Sequence, residues 1–161
     1  MRVTSTSLLL VLLSCAPRPT LPPRDVQATE GDATRVLDAW HDAASRADEG
    51  AYFALIADSG VFLGTDATER WDKPAFRAYA HPYFAKGKAW RFRATTRHLT
   101  VAPGGDVAWF DEALATERLG PARGAGVLVR EAGGWKVALY DLSIPIPNER
   151  FEAVKKAIEE K

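Results

Sequence analysis

The sequence predicts an α+β fold, in which helices form the first half of the domain and antiparallel strands form the second. Two observations predict it. Apolar residues recur at helical spacing between residues 32 and 87, and short strand-like runs separated by turns follow between residues 90 and 144. The chain of 161 residues is long enough for one domain with one core, and its 47% hydrophobic content is typical of a globular protein.

The helical half begins with a helix over residues 32–48, which Asp32 can cap. A short helical turn at 52–57, a strand at 61–63 and a polar loop at 64–71 follow it. The apolar face of the first helix consists of four residues at spacings of 4, 3 and 4, namely Val36, Trp40, Ala43 and Ala47.

A second long helix is predicted between Asp72 and Gly87. Asp72 can cap its start, and Pro74 fits its first turn, where the missing N–H would have no partner in any case. Pro82 is expected to loosen or end this helix, because the residue before a proline disfavours helical backbone angles.

The strands are predicted to form two hairpins, and a final helix follows them. The hairpins join 90–101 with 107–116 and 123–131 with 135–144. Gly124 and Gly126 inside the third long strand indicate strong curvature or a bulge. The last segment, 148–161, is a weakly amphipathic helix that Asn148 can cap, and its apolar face carries Phe151, Val154 and Ile158.

The first 14 residues have the features of an export signal. Arg2 precedes an apolar run of six residues, Leu8–Leu13, and the small residue Ser14 stands before Cys15. The run is far shorter than the roughly 20 residues of a membrane-spanning helix. Its ending resembles the lipobox of bacterial lipoproteins, in which the signal is cut before the cysteine and the cysteine is acylated. The alternative is an ordinary secretory signal with an incidental cysteine.

Cys15 is the only cysteine, so neither a disulfide framework nor a Cys-rich metal site is expected. Several acyl chains at this position would hold a soluble domain at a bilayer, since each buried methylene contributes roughly 0.8 kcal/mol. Residues 15–31 contain four of the ten prolines and predict an extended tether, and the domain itself is expected over 32–147. The sequence thus predicts a lipoprotein of the cell envelope, anchored to the membrane through Cys15.

The charge balance and the motifs exclude several classes of function. Twenty-one basic residues balance twenty-one acidic ones without a basic cluster, which excludes a global electrostatic grip on nucleic acid. The three histidines lie far apart and show none of the spacings of a metal site. The segment 58–60 lacks the first glycine of a serine-hydrolase elbow, and 124–126 lacks the third glycine of a dinucleotide loop. No metal or cofactor is expected, so any catalysis would be acid–base chemistry.

Six segments share the sequence features and the order of one known family. They are VLDAWH (36–41), YFAL (52–55), VFLGTDATERW (61–71), VAWFDE (107–112), GAGVLV (124–129) and GWKVALYDLSIP (134–145). Over roughly residues 32–150 the chain resembles the SnoaL-like domain of the nuclear transport factor 2 (NTF2-like) superfamily. The resemblance implies a cone-shaped α+β barrel, whose strongly curved antiparallel sheet wraps around the helices and leaves a cavity. It also implies a homodimer, because members commonly pair through the convex faces of their sheets.

Two residues are candidates for catalysis in such a cavity. Asp111 shares a strand face with Trp109 and Ala113, and a carboxylate beside an aromatic wall could act as a proton shuttle. The alternative is that Asp111 and Glu112 mark a solvated rim or pair with a nearby arginine. His41 is the second candidate, since histidine is the natural acid–base group near neutral pH, but its place beside the apolar stripe is also typical of a boundary residue.

Four aromatic residues are candidates, together with Asp111, for the lining of a ligand cavity. An aromatic ring can bind an apolar ligand, and the hydroxyl of Tyr or the N–H of Trp adds one polar group. The alternative is ordinary core packing. The four aromatic residues are Trp40, Tyr52, Trp71 and Tyr140.

Three functions are compatible with these features. The leading hypothesis is an exported, membrane-tethered SnoaL-like domain that binds a small, largely apolar molecule in its cone, with no need for catalysis. The second is a cofactor-independent isomerase, dehydratase or cyclase with Asp111 or His41 as the base, because the resemblance implies a cavity acid or histidine in such enzymes. The third is an interaction module that holds an envelope partner on its convex sheet.

Overall fold

The structure, a computed structural model, describes residues 26–160 and confirms the α+β architecture. The predicted signal peptide over 1–14 and Cys15 lie outside the described residues. Within the described part, no helix combines the length and the apolar character needed to cross a membrane. The elements are α1 (Val26–Ser45), α2 (Glu49–Ala54), β1 (Ile56–Leu63), β2 (Arg70–Asp72), α3 (Lys73–Ala85), β3 (Phe92–Val101), β4 (Val107–Thr116), β5 (Ala122–Glu131), β6 (Gly134–Ser143), a 3₁₀ turn (Asn148–Arg150) and α4 (Phe151–Glu159).

The strands form one curved sheet in the order β2-β1-β6-β5-β4-β3. Neighbouring strands are antiparallel, except that β1 and β6 run parallel. Both predicted hairpins, β3–β4 and β5–β6, are confirmed. The register shifts within β1, β3 and β6, and such bulges bend a strand and increase its twist. The extra residue between β5 and β6 is Ala138 of β6, opposite Val127 and Leu128, so the bulge is not at the glycines of β5.

The core lies between the concave face of the sheet and the first three helices. Side chains alternate along a strand, so each strand of the sheet presents one row to the helices. In β4 the inward row is Ala108, Phe110, Glu112 and Leu114. Helix α1 packs against β3 and β6, and α3 packs against β1 and β2. Helices α1 and α3 therefore cover one face of the sheet.

The tether predicted over 15–31 is wrong for residues 26–31, which belong to α1. The helix therefore starts before Asp32, whose side chain bonds Arg35 within the helix instead of capping it. Thr29 is buried, so packing against the domain favours a longer helix than the local sequence predicts. The short helix predicted at 52–57 is α2, which starts earlier because Asp48 caps it at 2.9 Å from the Ala51 N–H.

Two further details of the helices differ from the prediction, namely the effect of Pro82 and the role of Asn148. Asp72 caps α3 and Gly87 closes it with a φ of +64°, both as predicted, but the helix continues through Pro82 to Ala85. Pro82 lies in the last turn of α3. The backbone hydrogen bond that a proline lacks therefore affects only the end of the helix. At the other end of the chain, Asn148 begins a 3₁₀ turn and makes no side-chain cap for α4.

Candidate ligand cavity and buried carboxylate network

A fully buried carboxylate, Glu112 of β4, lies at the centre of a polar network on the concave face of the sheet. His41 of α1 approaches Glu112 Oε1 with Nε2 at 2.6 Å, and the Tyr140 hydroxyl of β6 donates to the same oxygen at 3.1 Å. Arg97 of β3 donates from Nε to Glu112 Oε2 at 2.8 Å. The carboxylate thus joins one helix to three strands.

These contacts determine the charge state of Glu112. Burial by itself raises the pKa of a carboxyl group, but the hydrogen bonds and charges of His41 and Arg97 outweigh burial and hold the pKa of Glu112 below its ordinary value. Burial and the nearby Glu112 raise the pKa of the Tyr140 hydroxyl, which therefore stays protonated as a donor. An ionised carboxylate only accepts hydrogen bonds, so His41 carries its proton on Nε2.

Arg97 links this network to α1 and is itself nine-tenths buried. Its Nη1 donates to Asp38 Oδ1 at 2.7 Å, while its Nε donates to Glu112 Oε2. Burial lowers the pKa of a guanidinium, but the two carboxylates outweigh burial and raise the pKa of Arg97. Its Nη2 is buried and makes no hydrogen bond within the described part of the chain.

One concavity, which we call the mouth cavity, has a volume of about 420 Å³. It lies between α3, the loop after β1 and the adjoining ends of β3 and β4. Its apolar wall consists of Phe62, Trp71, Phe76, Tyr79, Tyr83, Ala89, Trp90, Phe92, Leu119 and Leu142. Its charged lining residues are Glu69, Lys88, Arg91, Glu117 and Arg118.

Flat aromatic faces form one side of the mouth cavity. Trp71 stacks on Tyr79, with ring centroids 4.7 Å apart and an interplanar angle of 21°. Trp71 also stacks on Phe76 at 5.9 Å, and Phe76 stacks on Trp90 at 5.8 Å. Tyr79 and Tyr83 remain 43% and 45% exposed, so this aromatic surface has no covering side chain in the described structure.

A second concavity, the side groove, lies between α1 and the β3–β4 hairpin and has a volume of about 550 Å³. His41 and Arg97 line it, so the polar network reaches this groove through these two side chains. Arg91, Phe92, Thr116 and Glu117 line both the groove and the mouth cavity and form the wall between them.

Asp111 does not face either concavity. It lies in the outward row of β4 with Trp109, which is 51% exposed, and Ala113. Of the two interpretations of Asp111, the solvated position is the one observed, and its candidate roles as a cavity base and a ligand contact are wrong, because Trp109 on the same strand face belongs to the convex side. The neighbouring residue Glu112 is the buried carboxylate, and it shares the inward row of β4 with Ala108, Phe110 and Leu114.

The aromatic candidates separate into one cavity residue and three core residues. Trp71 lines the mouth cavity. Trp40, Tyr52 and Tyr140 are at most 1% exposed and pack on one another, with Trp40 stacked on Tyr52 at 4.9 Å. Trp40 and Tyr140 border only a void of about 10 Å³, too small for a ligand. The prediction that these three line a ligand cavity is therefore wrong.

His41, the other catalytic candidate, is brought to the buried network and to the side groove. The loop over 64–71 borders the mouth cavity and is also held by hydrogen bonds of its own. Gly64, Thr65 and Glu69 line the mouth cavity, and the loop also bonds within itself, since Asp66 Oδ1 accepts from the Thr68 N–H at 2.8 Å.

Across residues 26–160, no group of His, Cys, Asp and Glu side chains could hold a metal ion.

Solved structures support the fold. An NTF2-like protein from Pseudomonas putida superimposes with a TM-score of 0.65 at 19% identity and covers 76% of this chain and 91% of its own. A candidate dehydratase of the NTF2-like family from Streptomyces avermitilis has a TM-score of 0.62 at 16% identity, covering 76% and 99%. A candidate aromatic ring hydroxylase from Novosphingobium aromaticivorans has a TM-score of 0.62 at 17% identity, covering 75% and 92%. At these identities the likeness shows the fold alone.

No curated protein matches the chain. The family model for the SnoaL-like domain matches residues 33–147, which include every strand and every residue of the buried network. The chain therefore belongs to the SnoaL-like domain family.

Proposed function

We propose that this domain binds a small, largely apolar molecule with a flat ring in the mouth cavity. The observation that carries the proposal is the stacked aromatic wall of Trp71, Tyr79, Phe76 and Trp90 around a volume of about 420 Å³. Ligand sites for small molecules usually have volumes of about 300–1,000 Å³ and mainly apolar walls. The part of the barrel behind this wall is filled with side chains, so a ligand would lie at the mouth.

The flat shape of the aromatic wall favours a ligand with a ring over a ligand with a flexible chain. The rings of Trp71 and Tyr79 are stacked and nearly parallel, and a flat ring can extend such a stack without a change of rotamer. Binding needs no chemical step, because no group of the network around Glu112 lines the mouth cavity itself.

Native mass spectrometry of the chain starting at residue 16, purified from an export-competent host, tests the proposal first. A bound small molecule of constant mass is the expected result. Trp71→Ala should weaken rebinding of that molecule about tenfold or more, since a stacked ring contributes about 1–3 kcal/mol. Trp109→Ala removes an equally large side chain from the convex face and should leave the affinity unchanged. Equal loss in both variants would contradict the proposed site.

A second candidate function is acid–base catalysis by His41. The specific observation in its favour is the buried Glu112 carboxylate at 2.6 Å from His41 Nε2. A buried carboxylate fixes the tautomer of an imidazole and stabilises its protonated form, which suits a general base. The name of the Streptomyces avermitilis relative is compatible with such chemistry. The base would act in the side groove, since His41 lines that groove.

Deuterium exchange tests this second candidate without knowledge of the product. An isomerase, or a dehydratase that removes a carbon-bound proton, would exchange that proton with solvent. The molecule that co-purifies with the protein should then gain deuterium in D₂O with the unmodified chain and not with His41→Gln. The control His81→Gln changes an exposed histidine of α3 that lines neither concavity. Absence of exchange with the unmodified chain would contradict catalysis of this kind.

The membrane anchor at Cys15 belongs to the same proposal. Acylation there would place the domain at the surface of a membrane in the cell envelope, with the proline-rich residues before α1 as a spacer. Metabolic labelling with a fatty acid should mark the chain and leave it in the membrane fraction. Cys15→Ala should abolish both, whereas Ser14→Ala, which keeps a small residue before the cysteine, should abolish neither. An unlabelled native chain would contradict the anchor.

A homodimer through the convex face of the sheet completes the proposal. Trp109 is 51% exposed there, and its neighbours across the sheet are Thr100 and Val127. Light scattering should give twice the chain mass, and Trp109→Glu should halve it. Tyr83→Glu, which introduces the same charge at the mouth cavity, should leave the mass unchanged. A monomeric native chain would favour the alternative of a separate envelope partner on this face.

A further inference from the structure

The charged residues that line the mouth cavity differ in whether they have an ion-pair partner. Of the five charged lining residues, Arg91 and Glu117 face each other at 3.4 Å, and Glu69 accepts from the backbone N–H of Asp66 at 3.2 Å. Lys88 and Arg118 have no ion-pair partner within the part of the chain that the structure describes. The mouth cavity therefore has two cations without an ion-pair partner and one such carboxylate, Glu69, which already accepts a backbone N–H; the balance of unpaired charge is positive.

Both cations are held on short, well-braced connections. Lys88 follows α3 directly, where its backbone N–H bonds the Tyr83 carbonyl at 3.0 Å and Gly87 closes the helix. Arg118 lies in the turn after β4, which the Thr116 hydroxyl braces by accepting from the Leu119 N–H at 3.0 Å and donating to the Gly120 carbonyl at 2.8 Å. The β3–β4 pairing of Phe92 with Thr116 brings these two connections to the same end of the hairpin.

Tyr79 of the wall adds a neutral donor to the same cavity. Burial, together with Tyr83 and Glu69, raises the pKa of Tyr79, so its hydroxyl stays protonated and can donate to an anion. A flat apolar wall in a cavity that also contains two unpaired cations suits a molecule that has a ring at one end and an acid group at the other.

We propose that the mouth cavity selects amphiphilic organic anions, with an aromatic or alicyclic body against Trp71 and Tyr79 and an acid group between Lys88 and Arg118. This inference rests on the proposed ligand cavity and adds the charge of the ligand to it. An exposed ion pair contributes up to about 1 kcal/mol, so two cations give an anion about a tenfold preference over a neutral analogue at low salt. Added salt reduces the preference, because it screens exposed charges.

Two fluorescent probes with the same ring system test the inference. 1-Anilinonaphthalene-8-sulfonate carries one negative charge, and N-phenyl-1-naphthylamine is the same molecule without the sulfonate. Titration of the purified protein at low salt should give about tenfold tighter binding of the anionic probe. Trp71→Ala should weaken both probes, which locates them in the mouth cavity.

The double variant Lys88→Gln/Arg118→Gln should remove the preference and leave binding of the neutral probe intact. The matched control is Lys86→Gln/Arg123→Gln, which removes the same two charge types from exposed positions that do not line the cavity and should keep the preference. Equal affinities for the two probes, or an undiminished preference in the Lys88/Arg118 variant, would overturn the inference while the ligand cavity stands. Failure of both probes to bind would overturn the ligand cavity as well.

Discussion

Replacement of Glu112 by glutamine is the sharpest test of the buried network. The side chain is fully buried and accepts from His41, Arg97 and Tyr140. Glutamine keeps one acceptor oxygen but turns an NH₂ group toward a donor. Among residues 26–160 it leaves the nine-tenths buried Arg97 with Asp38 as its only carboxylate partner. Removal of one partner from a buried ion pair costs about 3–5 kcal/mol.

Because the amide retains one hydrogen bond, we expect Glu112→Gln to lower the free energy of unfolding by about 3 kcal/mol. For a domain of this size that corresponds to a fall in Tm of roughly 10 °C. Chemical denaturation at pH 7, read by tryptophan fluorescence, measures the change. Asp111→Asn is the matched control, since it removes the same charge from the next residue on the exposed face and should change stability by less than about 0.5 kcal/mol.

The same variant predicts how stability depends on pH. The pKa of Glu112 is lower in the folded chain than in the unfolded chain, so its stabilisation is present above the ordinary carboxyl pKa of about 4.5. It is lost as the pH falls from there through the lowered pKa of the folded state. The difference in stability between the native chain and Glu112→Gln should therefore shrink on acidification. A loss of less than about 1 kcal/mol at pH 7, or a difference that does not change with acid, would refute the reasoning.

Three further predictions concern the fold. A Cβ at Gly124 would overlap the Tyr140 hydroxyl and lie 3.0 Å from Glu112 Oε1, so Gly124→Ala should lower the free energy of unfolding by about 2 kcal/mol in a denaturant titration. Tyr140→Phe in the same chain should offset part of that loss, and strictly additive losses of the two variants would contradict the overlap. Ala47 has a φ of +54° after α1, where glycine is unstrained, so Ala47→Gly should stabilise the chain by about 0.5–1 kcal/mol, and a lower denaturation midpoint would speak against this. Phe151 and Ile158 are more than half exposed, so truncation after Pro147 should change the Tm by less than about 2 °C, and a larger fall would show that α4 packs on the domain.

Local patterns were sufficient to predict most of the fold. The caps at Asp72 and Gly87 and both hairpins depend on neighbouring residues, and each is found where the sequence predicted it. The extent of β1 was not predictable in this way. Its first residues pair with β6, about 80 positions later, and its middle carries the exposed Asp58 and Ser59, which read locally as a turn.

The buried network shows where local reasoning fails. The alternation in β4 offers two candidate inward rows, and the large ring of Trp109 favoured the wrong one. The row that contains Ala108, Phe110 and Leu114 was the better signal, because three apolar residues around one carboxylate indicate a buried acid. Its partners could not be named from spacing, since His41 and Glu112 are 71 positions apart and meet only through the packing of α1 on the sheet.

The parallel pairing of β1 with β6 has a consequence for the order in which the chain folds. β1 has β2 and β6 as its neighbours in the sheet, so the N-terminal part of the sheet cannot join the remainder before the last strand has been made. Contacts between such distant segments form slowly, because a long loop must close first. Until β6 is in place, the rings of Phe62 and Trp71 lack part of their packing. A nascent chain that stops before Gly134 therefore exposes these aromatic side chains to chaperones and proteases.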